Sequence, residues 1–215
     1  MAPLKLYWVS GSTPAWRVQV CMEEKGLQYE SKQVEFSKKE HKGPEVMSVN
    51  PRGQVPTLLD GDIVICESVA ALFYLEDAYP EHKLLPTDKK ERAAAYQRTV
   101  ESANLQDKVS GIVRLKMFNQ NPDPEAVAKA KEALKNELKY WEDYTKSGYV
   151  AGSSFTLADT AVGPFVLALK RFGASLKEFP NVAKYADTLQ SRPTFQKTTP
   201  PHWKETPNQD WLSDM

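Results

Sequence analysis

The chain has 215 residues, enough to bury a full core in one domain or two small ones. Lys and Arg balance Asp and Glu at 28 each, which excludes the basic footprint of a nucleic-acid binder and any acidic tail. No apolar run approaches the ~18 residues of a spanning helix, and the N-terminus lacks a secretion-signal pattern. Cys21 and Cys66, too few for a disulfide framework, read as free thiols in a reducing compartment, so the expectation is a soluble cytoplasmic protein with no membrane partner.

Residues 4–9 form a β-prone run that ends at Ser10-Gly11-Ser12-Thr13-Pro14. Thr13 is placed to cap a helix whose first position is Pro14, where a missing N–H costs nothing. Val18, Cys21 and Met22 give that helix its apolar stripe, and Gly26 ends it. Residues 29–36 are a second strand. Strand, helix and strand in this spacing imply a parallel pair with a right-handed crossover. The run Lys38-Lys39-Glu40-His41-Lys42-Gly43 reads as a solvated face. His41, His82 and His202 are isolated, so no metal site is expected.

The stretch from Asn50 to Ser68 is the most structured. Leu58-Leu59 and Ile63-Val64-Ile65 flank Asp60-Gly61, a dipeptide favoured in hairpin turns. Val55-Pro56 precedes the first of these strands, where a proline is tolerated. Glu67-Ser68 opens an amphipathic run with Val69, Leu72, Phe73 and Tyr79 on its stripe. The order is therefore βαβ followed by ββα, that of a thioredoxin-like domain.

Beyond Tyr79-Pro80 the pattern breaks through a polar segment with Pro86, and the remainder is helical. One long helix spans 91–119. Asp123-Pro124 starts another, with Val127, Leu134, Leu138 and Trp141 as its stripe and Gly148 closing it. Thr156-Leu157-Ala158-Asp159 resembles a capping box that opens a helix over 157–172, apolar on most sides and so central and buried. A further helix runs over 180–191 and stops at Pro193. The Pro-rich tail carries Trp203 and Trp211, and Trp203 is expected to pack. The fold class is α+β: a thioredoxin-like domain over 1–82, a linker over 83–90, and an all-helical domain over 91–215.

Thioredoxin-like redox proteins carry Cys-x-x-Cys at the start of the first helix. Here that corner reads Ser12-Thr13-Pro14-Ala15, so disulfide exchange by the chain itself is not expected. A hydroxyl at a helix N-terminus can instead donate to a bound thiolate, while the helix dipole favours the same charge. An isolated Ser-Gly-Ser also reads simply as loop and cap. Ser68 and the amides behind it make a site for a carboxylate.

Glu40-His41-Lys42, then Asn50-Pro51-Arg52-Gly53-Gln54-Val55-Pro56, then Asp60-Gly61-Asp62, then Glu67-Ser68 resemble, in order and spacing, the glutathione-site sequence of the cytosolic glutathione transferases. Thr156-x-x-Asp159 is similar to the capping box of their helical domain. Trp8-Val9-Ser10-Gly11-Ser12-Thr13-Pro14-Ala15-Trp16-Arg17 and Pro200-Pro201-His202-Trp203 look most like the rho class, a serine-type class related to theta, phi and zeta.

This resemblance implies a role for each motif. Ser12 would hydrogen-bond the glutathione sulfur, with Ser10 as the alternative in a looser alignment. Tyr7 is expected in the sheet or core rather than at the sulfur. His41 and Lys42 resemble the pair that holds the glycyl carboxylate, where a cation supplies the charge match. Gln54 resembles a further polar contact. Val55 would pair its backbone with the cysteinyl part, Pro56 being cis in the family. Glu67 would meet the γ-glutamyl amine and Ser68 its carboxylate.

The implied activity is conjugation of glutathione to hydrophobic electrophiles, a detoxification chemistry, with peroxide reduction as a side activity. Lys116, Met117, Phe118, Phe172 and Trp203 are the expected lining of the electrophile pocket. Glutathione is then a co-substrate, no separate cofactor is expected, and the expected assembly is a homodimer. Three alternatives compete. A non-catalytic carrier of the same fold would lose the thiol-activating hydroxyl. An interaction module such as those of translation factors would continue into further domains. A thiol transferase or dehydroascorbate reductase would want Cys in place of Ser12.

Overall fold

The structure, a computed structural model, describes residues 4–117, 119 and 121–215. These form two compact units, one of 1–84 with 193–206 and one of 85–192 with 207–215. The sequence reading places 193–206 in the helical domain; the fold gathers them with the first unit instead.

In the first unit, β1 (Leu4–Trp8) runs into α1 (Thr13–Glu24), β2 (Tyr29–Gln33), a 3-10 turn (Glu40–Lys42) and the short α2 (Pro44–Met47). β3 (Thr57–Asp60), β4 (Ile63–Ile65) and α3 (Ser68–Ala78) follow. The four strands lie in the order β2-β1-β3-β4. β1 pairs with β2 in parallel, as the crossover requires, and with β3 antiparallel; β3 and β4 are the hairpin. β2 stops at Gln33, short of the expected 36, and α2 has no counterpart in the sequence reading.

Leu6 of β1, Leu58 of β3, Val18 and Met22 of α1, and Leu72 and Leu75 of α3 are fully buried around this sheet. Each contributes about 1.5–3 kcal/mol of burial. A buried ion pair fixes α1 against α3: Lys25 Nζ donates to Glu76 Oε2 at 2.8 Å and to the His82 carbonyl at 2.8 Å. Glu76 in turn accepts from the Leu84 amide at 3.0 Å and 3.1 Å. α8 (Pro193–Thr198) and α9 (Pro201–Glu205) complete this unit. Trp16 of α1 donates from Nε1 to Thr198 Oγ1 at 2.8 Å and packs edge-on against Phe195.

The second unit is helical. α4 (Lys89–Met117) and α5 (Pro124–Tyr144) bury Leu105, Val109, Ile112, Leu134, Leu138 and Trp141. α6 (Leu157–Arg171) is buried along nearly its whole length, as its apolar run predicts, and α7 (Pro180–Ser191) closes the bundle. Asp159 completes the capping box at the start of α6. It accepts from the amides of Val150 and Thr156, from Thr156 Oγ1 and from the Tyr185 hydroxyl. Full burial nonetheless lifts its pKa to about 6. No helix among the described residues is long and apolar enough to cross a membrane.

Candidate functional site

Register alone brings the sequence motifs of the first unit to one end of its sheet. Tyr7 pairs with Thr57 antiparallel, so residues just after β1 lie beside those just before β3, namely Val55 and Pro56. Leu58 pairs with Ile65 antiparallel, which carries the chain after β4, Cys66 to Ser68, to the same end. Trp8 pairs with Gln33 in parallel, and the Val34 amide donates to the Trp8 carbonyl at 2.8 Å. The segment that leads to His41 and Lys42 therefore leaves from this end too.

Ser12 caps α1. Its Oγ accepts from the Ala15 amide at 3.3 Å and its carbonyl from the Trp16 amide at 2.9 Å. The cap falls one residue earlier than Thr13, because the chain turns at Gly11, whose φ of +90° suits glycine. One bond to Ser12 Oγ uses a lone pair and leaves its proton uncommitted among the described residues. Ser10 differs: its Oγ shares a 2.7 Å hydrogen bond with His202 Nδ1. Tyr7 is buried in the sheet and its hydroxyl donates to Glu45 Oε1 at 3.2 Å, in keeping with the reading that sets it aside from the sulfur.

His41 and Lys42 are folded onto the turn before Val55. Lys42 Nζ donates to the Arg52 carbonyl at 2.7 Å. At Gly53, with φ of +54°, an added Cβ would meet Met47 Sδ at 2.7 Å, Lys42 Cδ at 2.8 Å and the His41 carbonyl at 2.9 Å. Only glycine permits this approach. His41 stacks on Phe36 with ring centroids 4.7 Å apart, and its Nδ1 is buried with no hydrogen-bond partner among the described residues. Burial, then the charge of Lys42, lower its pKa below the usual 6.5. The lowered pKa favours the neutral imidazole of His41 at neutral pH.

Asn50 organises the next turn. Its Nδ2 donates to the Gln54 carbonyl at 2.9 Å and to Thr57 Oγ1 at 3.0 Å. Gln54 is exposed, with its side chain outside any hydrogen bond among the described residues. The Val55–Pro56 peptide bond is cis. Val55 makes no backbone hydrogen bond among the described residues, so its N–H and C=O offer one more ladder position beyond β3.

Glu67 holds the N-cap position of α3 in extended backbone, and its exposed carboxylate makes no hydrogen bond or ion pair among the described residues. The first intrahelical bond of α3 runs from the Ala71 amide to the Glu67 carbonyl, leaving the earlier amides outside the ladder. Ser68 is buried and accepts from Arg17 Nη1 at 3.4 Å. Arg17, on α1, was not assigned a role from sequence. Its guanidinium is fully buried, which lowers its pKa to about 9 and still leaves it cationic at neutral pH. It places positive charge behind the N-termini of both α1 and α3. Its position in an apolar stretch of α1 and its place at the end of the Trp8–Arg17 motif were the available signals.

Trp203 is half-buried in the first unit and packs edge-on against Trp16, ring centroids 5.2 Å apart. In the second unit Phe172 stacks on Trp211 at 4.8 Å, Lys116 is half-buried, and Met117 is 62% exposed. Phe118 lies outside the described residues. No group of acidic, His and Cys side chains among the described residues could hold a metal ion.

A thioredoxin-like unit followed by an all-helical unit is the domain pair of the glutathione S-transferase fold. The chain matches the family description "Glutathione S-transferase, N-terminal domain" over residues 2–77 and "Glutathione S-transferase, C-terminal domain" over 105–193. It is 42% identical to glutathione S-transferase A of Pleuronectes platessa, across 99% of this chain and 98% of that one. It is also 36% identical to glutathione S-transferase 1 of Dianthus caryophyllus, with 82% of each covered. The crystal structure of a glutathione S-transferase from the Antarctic clam Laternula elliptica superposes with a TM-score of 0.91 at 42% identity, covering 99% of both chains. The glutathione transferase URE2P6 of Phanerochaete chrysosporium, solved in complex with oxidized glutathione, gives 0.83 at 28% identity over 94% and 96%. This chain belongs to the glutathione S-transferase family.

Proposed function

We propose that the chain conjugates the sulfur of reduced glutathione to hydrophobic electrophiles, and that Ser12 activates that sulfur. The observation that carries the assignment is the difference between the two serines: Ser10 Oγ is engaged by His202, whereas Ser12 caps α1 with its proton uncommitted. A free thiol has a pKa near ~8.5, so only a few per cent is thiolate at neutral pH. One hydroxyl donor plus the α1 dipole contributes about 1–3 kcal/mol, which lowers that pKa by about 1–2 units.

The remaining contacts follow the sheet-end geometry. Lys42 supplies the charge for the glycyl carboxylate and neutral His41 a hydrogen bond. Gln54 adds a polar contact, and Val55 pairs its backbone with the cysteinyl residue through the geometry set by Pro56. Glu67 takes the γ-glutamyl ammonium, and Ser68 with the first amides of α3 takes its carboxylate, under the field of Arg17. The thiolate then forms a carbon–sulfur bond. In a substitution the leaving group departs with its electron pair; in a Michael addition the resulting carbanion takes a proton from water.

A rho-type class, a two-fold homodimer and a cytoplasmic location complete the proposal. Edge strand β4 exposes Ile63 and Val64, and α4 exposes Tyr96 and Val100, apolar surface suited to an isologous partner. Free Cys21 and Cys66 fit a reducing compartment. The test is the rate of conjugation of glutathione to a chlorodinitrobenzene-type acceptor. Saturable turnover that requires glutathione is expected. Tight glutathione binding without turnover would replace this reading with that of a carrier.

A further inference from the structure

The Pro200-Pro201-His202-Trp203 motif is assigned no contact with glutathione above, yet through His202 it is folded onto the turn that carries Ser12. His202 Nδ1 shares its 2.7 Å hydrogen bond with Ser10 Oγ, across 192 residues of sequence. The imidazole also lies against the backbone of the next residue: a Cβ at Gly11 would stand 2.8 Å from His202 Cε1 and 3.4 Å from Nε2. Trp203 packs its edge on Trp16, one turn into α1, and Thr198 receives the Trp16 indole N–H. On the α8 side, Lys197 pairs with Glu23 at 2.6 Å and Thr194 donates to Glu24. The segment 193–206 thus runs along α1 from its last turn to its cap.

At its Ser12 end the turn is tied into α1, the carbonyl accepting from the Trp16 amide at 2.9 Å and Oγ from the Ala15 amide at 3.3 Å, whereas at its Ser10 end the side-chain bond is the one to His202. Gly11 is exposed and adopts φ of +90°, and the Ser12 amide is tied back to the Val9 carbonyl at 3.0 Å. A hydroxyl lowers a thiol pKa only when aimed at the sulfur, since hydrogen bonds weaken steeply with misdirection. We propose that His202 is a positioning residue for glutathione activation: gripping Ser10 and closing over Gly11, it fixes the turn that aims the Ser12 hydroxyl. This inference rests on the assignment of Ser12 above. It also gives Ser10 a different task from Ser12, as the residue through which the C-terminal segment holds the turn.

The test compares wild type with Ser10→Ala, Ser12→Ala, His202→Ala, His202→Asn and the Ser10→Ala/His202→Ala double variant. For each, glutathione affinity is measured together with the pH midpoint of the bound thiol, read from its ultraviolet thiolate absorption. His202→Ala is expected to lower kcat/KM about ten-fold and to raise that midpoint by about one unit. Glutathione affinity should stay within about two-fold, because the contacts far from the sulfur are intact. His202→Asn, whose amide can replace Nδ1 toward Ser10, should recover most of the loss. The double variant should be no worse than either single one, as two residues acting through one bond must be.

An unmoved midpoint in His202→Ala, or in Ser10→Ala should the histidine variant fail to fold, overturns the proposal. Additive losses in the double variant overturn it equally. A silent Ser12→Ala would overturn both this role and the assignment it rests on. A strong Ser12→Ala effect beside a silent His202→Ala would remove the role of His202 alone.

Discussion

Replacing Lys25 by Met keeps a long apolar stem in a fully buried slot but strips the ammonium from a buried carboxylate. Lys25 has no side-chain exposure and Glu76 only 7%, with Nζ 2.8 Å from Oε2. In such a setting the ion that remains carries a desolvation cost that water cannot relieve, and breaking the pair costs about 3–5 kcal/mol. The His82 carbonyl loses its donor as well. For a chain of this size about 2–4 °C of melting temperature accompanies each kcal/mol, so Lys25→Met should melt roughly 6–20 °C below wild type. Urea unfolding should show the same loss as a lower midpoint at unchanged slope. The partner substitution is informative. Lys25→Met/Glu76→Gln removes the charge yet keeps an acceptor for the Leu84 amide, and should regain more than half of the loss. Because the pair joins α1, which carries Ser12, to α3, which carries Ser68, glutathione affinity should fall as the melting point is approached. A single variant within about 1 kcal/mol of wild type would refute this account of how the two site helices are held.

Two further outcomes are expected. Gly53→Ala would place a methyl against Met47, Lys42 and the His41 carbonyl at positive φ. It should raise the KM for glutathione about ten-fold with little change in kcat, as loss of ground-state binding does; steady-state kinetics with varied glutathione checks it. The depressed pKa of His41 means that the folded state prefers its neutral form. Its contribution to stability is therefore full above the unfolded value of ~6.5 and fades as pH falls through the folded pKa. His41→Gln should flatten the stability profile in that acidic window, read from urea midpoints between pH 5 and 8.

Much of the fold was legible because its signals are local. The hairpin at Asp60-Gly61, the cap at Asp123 and the capping box of Thr156 and Asp159 each depend on residues a few positions apart. The cap of α1 slipped by one residue because Ser12 and Thr13 are both competent caps, and only the positive φ at Gly11 decides between them. Contacts across long stretches of chain left no such trace. Trp203 was expected to pack with no partner named, and it packs on Trp16; the stacking of Phe172 on Trp211 had no signal in the sequence. The lowered pKa of His41 comes first from burial, which composition does not reveal, and then from the charge of its neighbour Lys42. The placement of 193–206 with the first unit rests on Trp16, Glu23 and Glu24, residues whose helical spacing marks them only as parts of α1.

The most direct test of the central claim is the ionisation of glutathione bound to the protein, followed by ultraviolet thiolate absorption across pH in wild type, Ser12→Ala and Ser10→Ala. Wild type should titrate about 1–2 units below the ~8.5 of a free thiol. Ser12→Ala should bring the midpoint back close to the free value while glutathione remains bound, and Ser10→Ala should move it less. A wild-type midpoint retained in Ser12→Ala would contradict the account and would shift thiol activation from this hydroxyl to another donor.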